Sequence, residues 1–163
     1  MKLVQFLLKT CDHSAPLIAR LILGFVIFPH GAQKMLGWFG GHGFSGTMNF
    51  FTGAMHIPAL FAFAAILAEF VGSLGLIVGL LSRVAAFGIA CVMTVAILTT
   101  HVPNGFFMNW SGGQKGEGFE YHLLAIGLAL IVLIYGGGKA SLDSVIQRRL
   151  VAAGASPQTN KQS

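Results

Sequence analysis

Residues 57–81 read IPALFAFAAILAEFVGSLGLIVGLL, an apolar run carrying one charged side chain, Glu69, with twelve residues of the run on either side of it. A helix that crosses a bilayer needs about 20 predominantly apolar residues. The stretch therefore predicts a membrane span with a carboxylate at mid-depth. Three further stretches share this character: Leu17–Met35, Val84–His101 and Tyr121–Tyr135. Charged residues make up 9% of the 163-residue chain and hydrophobic ones 55%, and mean hydropathy is +0.76. A soluble domain carries about 25% charged residues, so this composition argues against one. The predicted fold is all-α: an integral membrane four-helix bundle over residues 17–146. An N-terminal interfacial or flexible segment, 1–16, precedes it, and a tail, 147–163, expected to be disordered, follows.

The formal net charge is +5, which in a soluble protein would invite a nucleic-acid reading. Orientation explains it better, and no nucleic-acid partner is expected. Lys2, Lys9, Arg20, Arg83, Lys139, Arg148, Arg149 and Lys161 fall on one side if both termini face the cytoplasm, and only Lys34 and Lys115 fall on the other. This split fits the positive-inside rule. The Gly37–His56 and Val102–Glu120 loops are then outside. Leu3–Leu8 is too short for the apolar core of a signal peptide and no small-x-small site follows it, so cleavage is not expected. Met1–Thr10 reads either as an interfacial helix or as a frayed end.

Local signals punctuate the spans. Pro16 suits the first turn of a helix, Pro29 is placed to kink it, Pro58 opens the second span, and Gly136-Gly-Gly stops the last. Arg83 divides the second and third spans with almost no loop, predicting a tight hairpin. The stretch between Gly37 and Ile57 has no Asp, Glu, Lys or Arg, so it is expected to dip into the outer interface, with Met48–Met55 as a short amphipathic piece. Trp38, Phe39, Phe106, Phe107 and Trp110 all fall in the outer loops, where aromatic residues either anchor the protein at the interface or frame a ligand entrance.

Ionisable groups inside a span cost about 2.5–3.5 kcal/mol on insertion scales and face the bundle interior with a partner. At 100° per residue, Lys34 lies about 40° and His30 about 80° from Arg20 on the first helix, and Arg20 and Lys34 are about 21 Å apart along its axis. Gly24, Ile27 and Gly31 share their face. Glu69 shares its own with Ala62, Ala65, Gly72 and Ser73, small residues that permit close helix approach. Arg20 and His30 are the candidate partners for Glu69. A pair with Arg20 would be structural; a pair with His30 would mark a proton path from the outer face. Thr94 and His101 share a face of the third span. Glu120 and His122 lie about 200° apart on the fourth, and Glu120 is assigned inward because Gly127 and Ile131 lie on its side. His30, Lys34, His101 and Glu120, with Glu69 beneath, thus form a candidate outer polar pocket; the opposing reading is that these groups pair with one another and fix helix order.

Other chemistries find no support. Cys11 and Cys91 form no C-x-x-C motif and are expected to be unpaired thiols. No two histidines stand at i,i+3 or i,i+4, so no metal site is expected. No nucleotide, flavin, haem or iron–sulfur motif is present, so no cofactor is bound by a recognisable motif.

Read in order, Arg20-Leu-Ile-Leu-Gly24, Pro29-His-Gly-Ala-Gln-Lys34, Gly37-Trp-Phe-Gly-Gly41, Glu69-Phe-Val-Gly72, Gly79-Leu-Leu-Ser-Arg83, His101-Val-Pro-Asn-Gly-Phe-Phe107, Glu120-Tyr121 and Ser141-Leu-Asp143 make the chain resemble the DoxX family of membrane proteins, over about residues 17–146. The resemblance implies a four-helix protein of the bacterial inner membrane, and Arg20, His30, Lys34, Glu69, Arg83, His101 and Glu120 stand at family-matching positions. The family is named for a subunit of a thiosulfate:quinone oxidoreductase. The expected role is therefore a non-autonomous, quinone-linked redox subunit, with quinone in the outer pocket and a protein partner that carries the redox cofactor. The alternative is a non-catalytic membrane module that binds a protein partner or a lipophilic small molecule. A third reading, a small transporter, would require a homo-oligomer. Some relatives have paired cysteines, which this chain lacks.

Overall fold

The computed structural model describes residues 2–154, and among them every regular element is helical: α1 (Lys2–Leu8), α2 (Ser14–Leu36), α3 (Gly43–Asn49), α4 (Ala59–Val78), α5 (Ser82–Ala96), α6 (Glu120–Tyr135) and α7 (Leu142–Gly154). Three helical stretches are long and apolar enough to cross a membrane: Ser14–Leu36, Ala59–Val78 and Ser82–Asn104. The last is α5 continued through a π-helical turn, Ile97–His101, and a 3-10 turn, Val102–Asn104. The fourth apolar helix, α6, has 16 residues. At 1.5 Å per residue it is about 24 Å long, shorter than the other three.

Residues at the helix ends account for the boundaries. Pro16 lies in the first turn of α2, where its missing N–H has no helical partner to lose, and the helix runs on through Pro29. Gly37, at φ 75°, ends it in the left-handed conformation that glycine adopts freely. Gly79, at φ 73°, ends α4, and the Leu80 N–H returns to the Gly75 carbonyl at 2.8 Å, so the expected tight hairpin into α5 forms. Between α2 and α4 the chain makes α3 and then a π-helical turn, Phe50–Ala54, a longer helical piece than Met48–Met55.

Helices α2, α4, α5 and α6 pack in a ring, with α2 against α4 and α6, and α5 against the same two. The face of α2 that carries Arg20, Gly24, Ile27 and Gly31 is buried, as expected. A Cβ on Gly31 would lie 2.6 Å from the Cα and N of Phe70, so glycine is what lets α2 sit directly on the backbone of α4. Ile27, Ile66, Ala86, Ile89, Ala129 and Val132 form the dry centre. Outward faces are apolar too: Leu60, Leu98 and Leu124 are each at least 70% exposed. Helices that are hydrophobic all round suit contact with lipid.

Two expectations about the ends change. Residues 142–154 form α7, so the tail expected to be disordered from 147 is helical to 154, while 155–163 lie outside the described residues. Of the two readings of the N-terminus, a helix forms at Lys2–Leu8. It packs on α5 and α7 with Leu8 buried. The Arg83 guanidinium lies 5.1 Å from the Phe6 ring centre and donates to the Lys9 and Ile134 carbonyls.

Candidate functional site

The hairpin end of the bundle disposes of its charges in a way sequence spacing does not anticipate. Arg20, 1% exposed, is not paired with Glu69. Its Nη1 donates to the carbonyls of Leu76 and Ile77, both at 2.7 Å, its Nε to Gly137 at 2.8 Å, and its Nη2 to Ala140 at 2.7 Å and Lys139 at 3.4 Å. Leu76 and Ile77 are in the last turn of α4, where the carbonyls carry the negative end of the helix dipole; the Leu76 carbonyl also accepts from the Gly79 N–H at 3.2 Å. Asp143, also 1% exposed, does the reverse for α5. Its Oδ1 accepts from the Leu81 N–H at 2.7 Å and its Oδ2 from the Ser82 N–H at 2.9 Å, taking the place of a capping side chain. These bonds hold Leu81 (φ 49°) and Ala140 (φ 51°) in the left-handed region, a cost of about 1–3 kcal/mol each. Arg20 therefore belongs to a structural lock and not to the outer pocket.

Lys34 is the partner of Glu69: its Nζ makes the only ion pair among the described residues. Gly31 packs on the backbone of Glu69 and Phe70, which puts Lys34 less than one turn toward the loop end and Arg20 about 16 Å in the other direction. Arg20 is thereby too far along the axis, and of the two groups left near Glu69, His30 and Lys34, it is Lys34 that makes the contact. The correction removes both Arg20 and His30 as partners of Glu69, which is itself 3% exposed.

From this pair a cleft of about 590 Å3 extends toward the loop end. Lys34 and His30 line it from α2, Glu69 from α4, His101 from the end of α5, and Tyr121 and His122 from α6. Its apolar wall includes Phe50, Phe51, Phe61 and Phe87, with Ala64, Ala65 and Ala68 facing Gly88 and Cys91. At the depth of Glu69, α4 and α5 are in close contact: a Cβ on Gly88 would lie 3.1 Å from that of Ala68. The rings of Phe61 on α4 and Phe87 on α5, both exposed, also line the cleft. Both π-helical turns, Phe50–Ala54 and Ile97–His101, border it; such turns recur at functional sites.

Glu120 and His122 exchange the roles expected of them. The buried stripe of α6 is His122, Ala125, Ala129 and Val132. The Glu120 carboxylate turns to the 102–119 loop, where Oε1 accepts from the Met108 N–H at 3.0 Å and the Trp110 Nε1–H at 3.1 Å. His122 takes the inward place, 7% exposed, with its ring centre 4.1 Å from that of His101. The His101 Nδ1–H donates to the Glu117 carbonyl at 2.8 Å. Two polar atoms in the cleft wall, the Tyr121 hydroxyl and His122 Nδ1, are buried without a hydrogen-bond partner. Thr94 is exposed, and its hydroxyl bonds the Ala90 carbonyl of its own helix.

Trp38, Phe39, Phe106, Phe107 and Trp110 are all exposed, Trp110 at 86%, and none lines the cleft; its aromatic wall comes from residues that the sequence reading did not single out. Tyr121 and His122 were also missed as site residues. The signal for His122 was available, since Ala125 and Ala129 follow it at i+3 and i+7, the spacing of a buried helix face. Among the described residues no three His, Cys, Asp or Glu side chains are grouped to hold a metal. Cys11 and Cys91 are free thiols.

Fold and site together define an all-α membrane protein with one locked end and one clefted end. The DoxX family profile matches residues 15–102, just over half of the chain, and the chain belongs to the DoxX family. The match includes Arg20, His30, Lys34, Glu69 and His101 and stops before α6. Comparison with curated proteins and with solved structures gives no match.

Proposed function

We propose that the chain is a non-autonomous subunit of a quinone-linked redox system in the bacterial inner membrane, with α2, α4, α5 and α6 crossing the bilayer and both termini cytoplasmic. The observation that carries the reading is the pair of orphaned polar atoms, the Tyr121 hydroxyl and His122 Nδ1, in an otherwise apolar and aromatic cleft. Buried polar atoms are nearly always hydrogen-bonded, and a cavity of 300–1,000 Å3 with a few convergent polar groups is the usual form of a small-molecule site. A quinone suits these walls. Its ring faces are apolar, its edge oxygens accept hydrogen bonds of the kind the Tyr121 hydroxyl offers, and its isoprenoid tail would leave between α4 and α5 past Phe61 and Phe87. The Lys34–Glu69 pair closes the deep end of the cleft with charge. Electrons would pass to a partner protein that supplies the redox cofactor.

Mass spectrometry of everything that copurifies in mild detergent tests the reading. Near-stoichiometric quinone together with a cofactor-bearing protein is the expected result. Ordinary lipid alone, with no redox protein, would overturn it. Glu69→Gln is expected to impair electron transfer in that assembly while the protein remains inserted.

The second reading is a non-catalytic module that binds a partner protein or lipophilic molecule, and the exposed aromatic rim at Trp38, Phe39, Phe107 and Trp110 favours it. In that case Trp38→Ala with Trp110→Ala abolishes partner binding and leaves respiration unchanged.

A further inference from the structure

Toward the loop end from Glu69 the bundle interior carries a continuous run of titratable groups, whereas toward the hairpin end it is apolar as far as Arg20 and Asp143. Between Glu69 and the hairpin end the interior is Leu23, Ile27 and Leu76, each at most 1% exposed. Ser73, also at 0%, bonds the Phe70 carbonyl of its own helix. Arg20 and Asp143 beyond them are saturated by backbone. Toward the loop end the groups are continuous. Lys34 of α2 holds Glu69 of α4, and His30 precedes Lys34 by four residues, so the two share a helix face. The His30 ring centre is 6.1 Å from that of Tyr121, Tyr121 is 5.3 Å from His122, and His122 is 4.1 Å from His101. His101 reaches the Glu117 carbonyl in the exposed loop, while the Glu117 and Glu120 carboxylates are turned to backbone N–H groups of that loop.

We propose that Glu69 exchanges protons with the loop end of the bundle alone, through a relay of His101, His122, Tyr121 and His30. Chains of Asp, Glu and His at membrane depth are the usual construction of such relays. The balance is simple. A hydronium at the loop end becomes water; His101 takes the proton at Nε2 and passes it on from the same nitrogen, its Nδ1–H staying on the Glu117 carbonyl; His122 and His30 each accept a proton on one nitrogen as they release one from the other, the phenol accepts one on its oxygen as it releases its own, and the Glu69 carboxylate ends as a carboxylic acid, released from Lys34. His101 is poised for the first step: its Nδ1–H is committed to Glu117, which leaves Nε2 as the acceptor in the neutral ring. A water can bridge polar groups that do not touch directly, and the orphaned Tyr121 hydroxyl and His122 Nδ1 are the atoms that such a water would serve. The relay needs no quinone and stands apart from the redox reading.

The test uses vesicles holding the full chain in one orientation, with the protonated Glu69 carboxyl followed by its infrared band and identified by its loss in Glu69→Gln. Acidifying the side that bears the 102–119 loop is expected to raise the band promptly, and acidifying the other side at least about tenfold more slowly. His122→Phe and His101→Gln should each slow the prompt response by about tenfold or more, with helicity by circular dichroism unchanged. His101→Gln, at the half-buried end of the chain, decides the matter if His122→Phe does not fold. An equal response from both sides, an unchanged rate in folded variants, or no Glu69 band at any pH would each overturn the relay.

Discussion

The two ends of the bundle treat buried polarity in opposite ways. At the hairpin end, Arg20 and Asp143 are almost wholly buried and every hydrogen-bonding direction they offer ends on backbone: five carbonyls for one, two N–H groups for the other. Only the Ser82 hydroxyl is left over there. At the loop end, one ion pair lines a cleft, and the Tyr121 hydroxyl and His122 Nδ1, in residues that line the same cleft, are buried without partners. A saturated network specifies one packing, whereas an unsatisfied one invites something from outside. The chain thus concentrates its saturated polar contacts where α4 turns into α5 and α6 into α7, and its unsatisfied ones beside the cleft at the loop end.

The comparison predicts a graded series of mutational effects. Arg20→Met should be the most damaging, because it abandons carbonyls at the ends of two helices; a loss of about 3–5 kcal/mol is expected, read as failure to purify a monodisperse protein in detergent. Arg20→Lys should rescue little, since an ammonium lacks the planar fork that reaches the last turn of α4 and the 137–140 turn at once. If Arg20→Met purifies normally, the hairpin end is not a lock. Gly31→Ala comes next. Its methyl group would meet the Phe70 backbone, and overpacking of this kind costs about 1–3 kcal/mol, visible as a lower melting temperature. Asp143→Asn keeps one acceptor and loses the charge at the α5 N-terminus, so a smaller loss of about 1 kcal/mol is expected in the same measurement. Tyr121→Phe should leave stability unchanged or slightly raised, because removing an orphaned hydroxyl relieves an unsatisfied group. Quinone binding should meanwhile fall about tenfold, the equivalent of one hydrogen bond. A drop in melting temperature with binding intact would reverse the assignment of that end.

Some of this was legible one residue at a time. The run 57–81 contains α4, and Leu17–Met35 falls within α2, because apolar length is a local property that every residue in the run reports. The α2 face bearing Gly24, Ile27 and Gly31 could be read from angle alone. Which carboxylate met which cation could not. Angle places Arg20, His30 and Lys34 on related faces of one helix, but pairing with Glu69 depends on how far α2 slides along α4. Gly31 sets that offset by seating on the Phe70 backbone. The same holds for α6. Glu120 and His122 each had a plausible inward side, and the 102–119 loop settled the choice by giving the Glu120 carboxylate the Met108 and Trp110 donors.

Sequence by itself determined that this is an all-α protein with apolar helices of membrane-crossing length, and it placed the apolar runs from which those helices form. These follow from composition, periodicity and end-capping, all of which act within a few residues. Only the tertiary structure decided that Lys34 holds Glu69, that Arg20 and Asp143 cap helices instead of serving a pocket, and that Tyr121 and His122 are left facing a cleft. Those outcomes depend on helix offset and rotation. Summed close contacts across the bundle set both, and no local stretch of sequence encodes either.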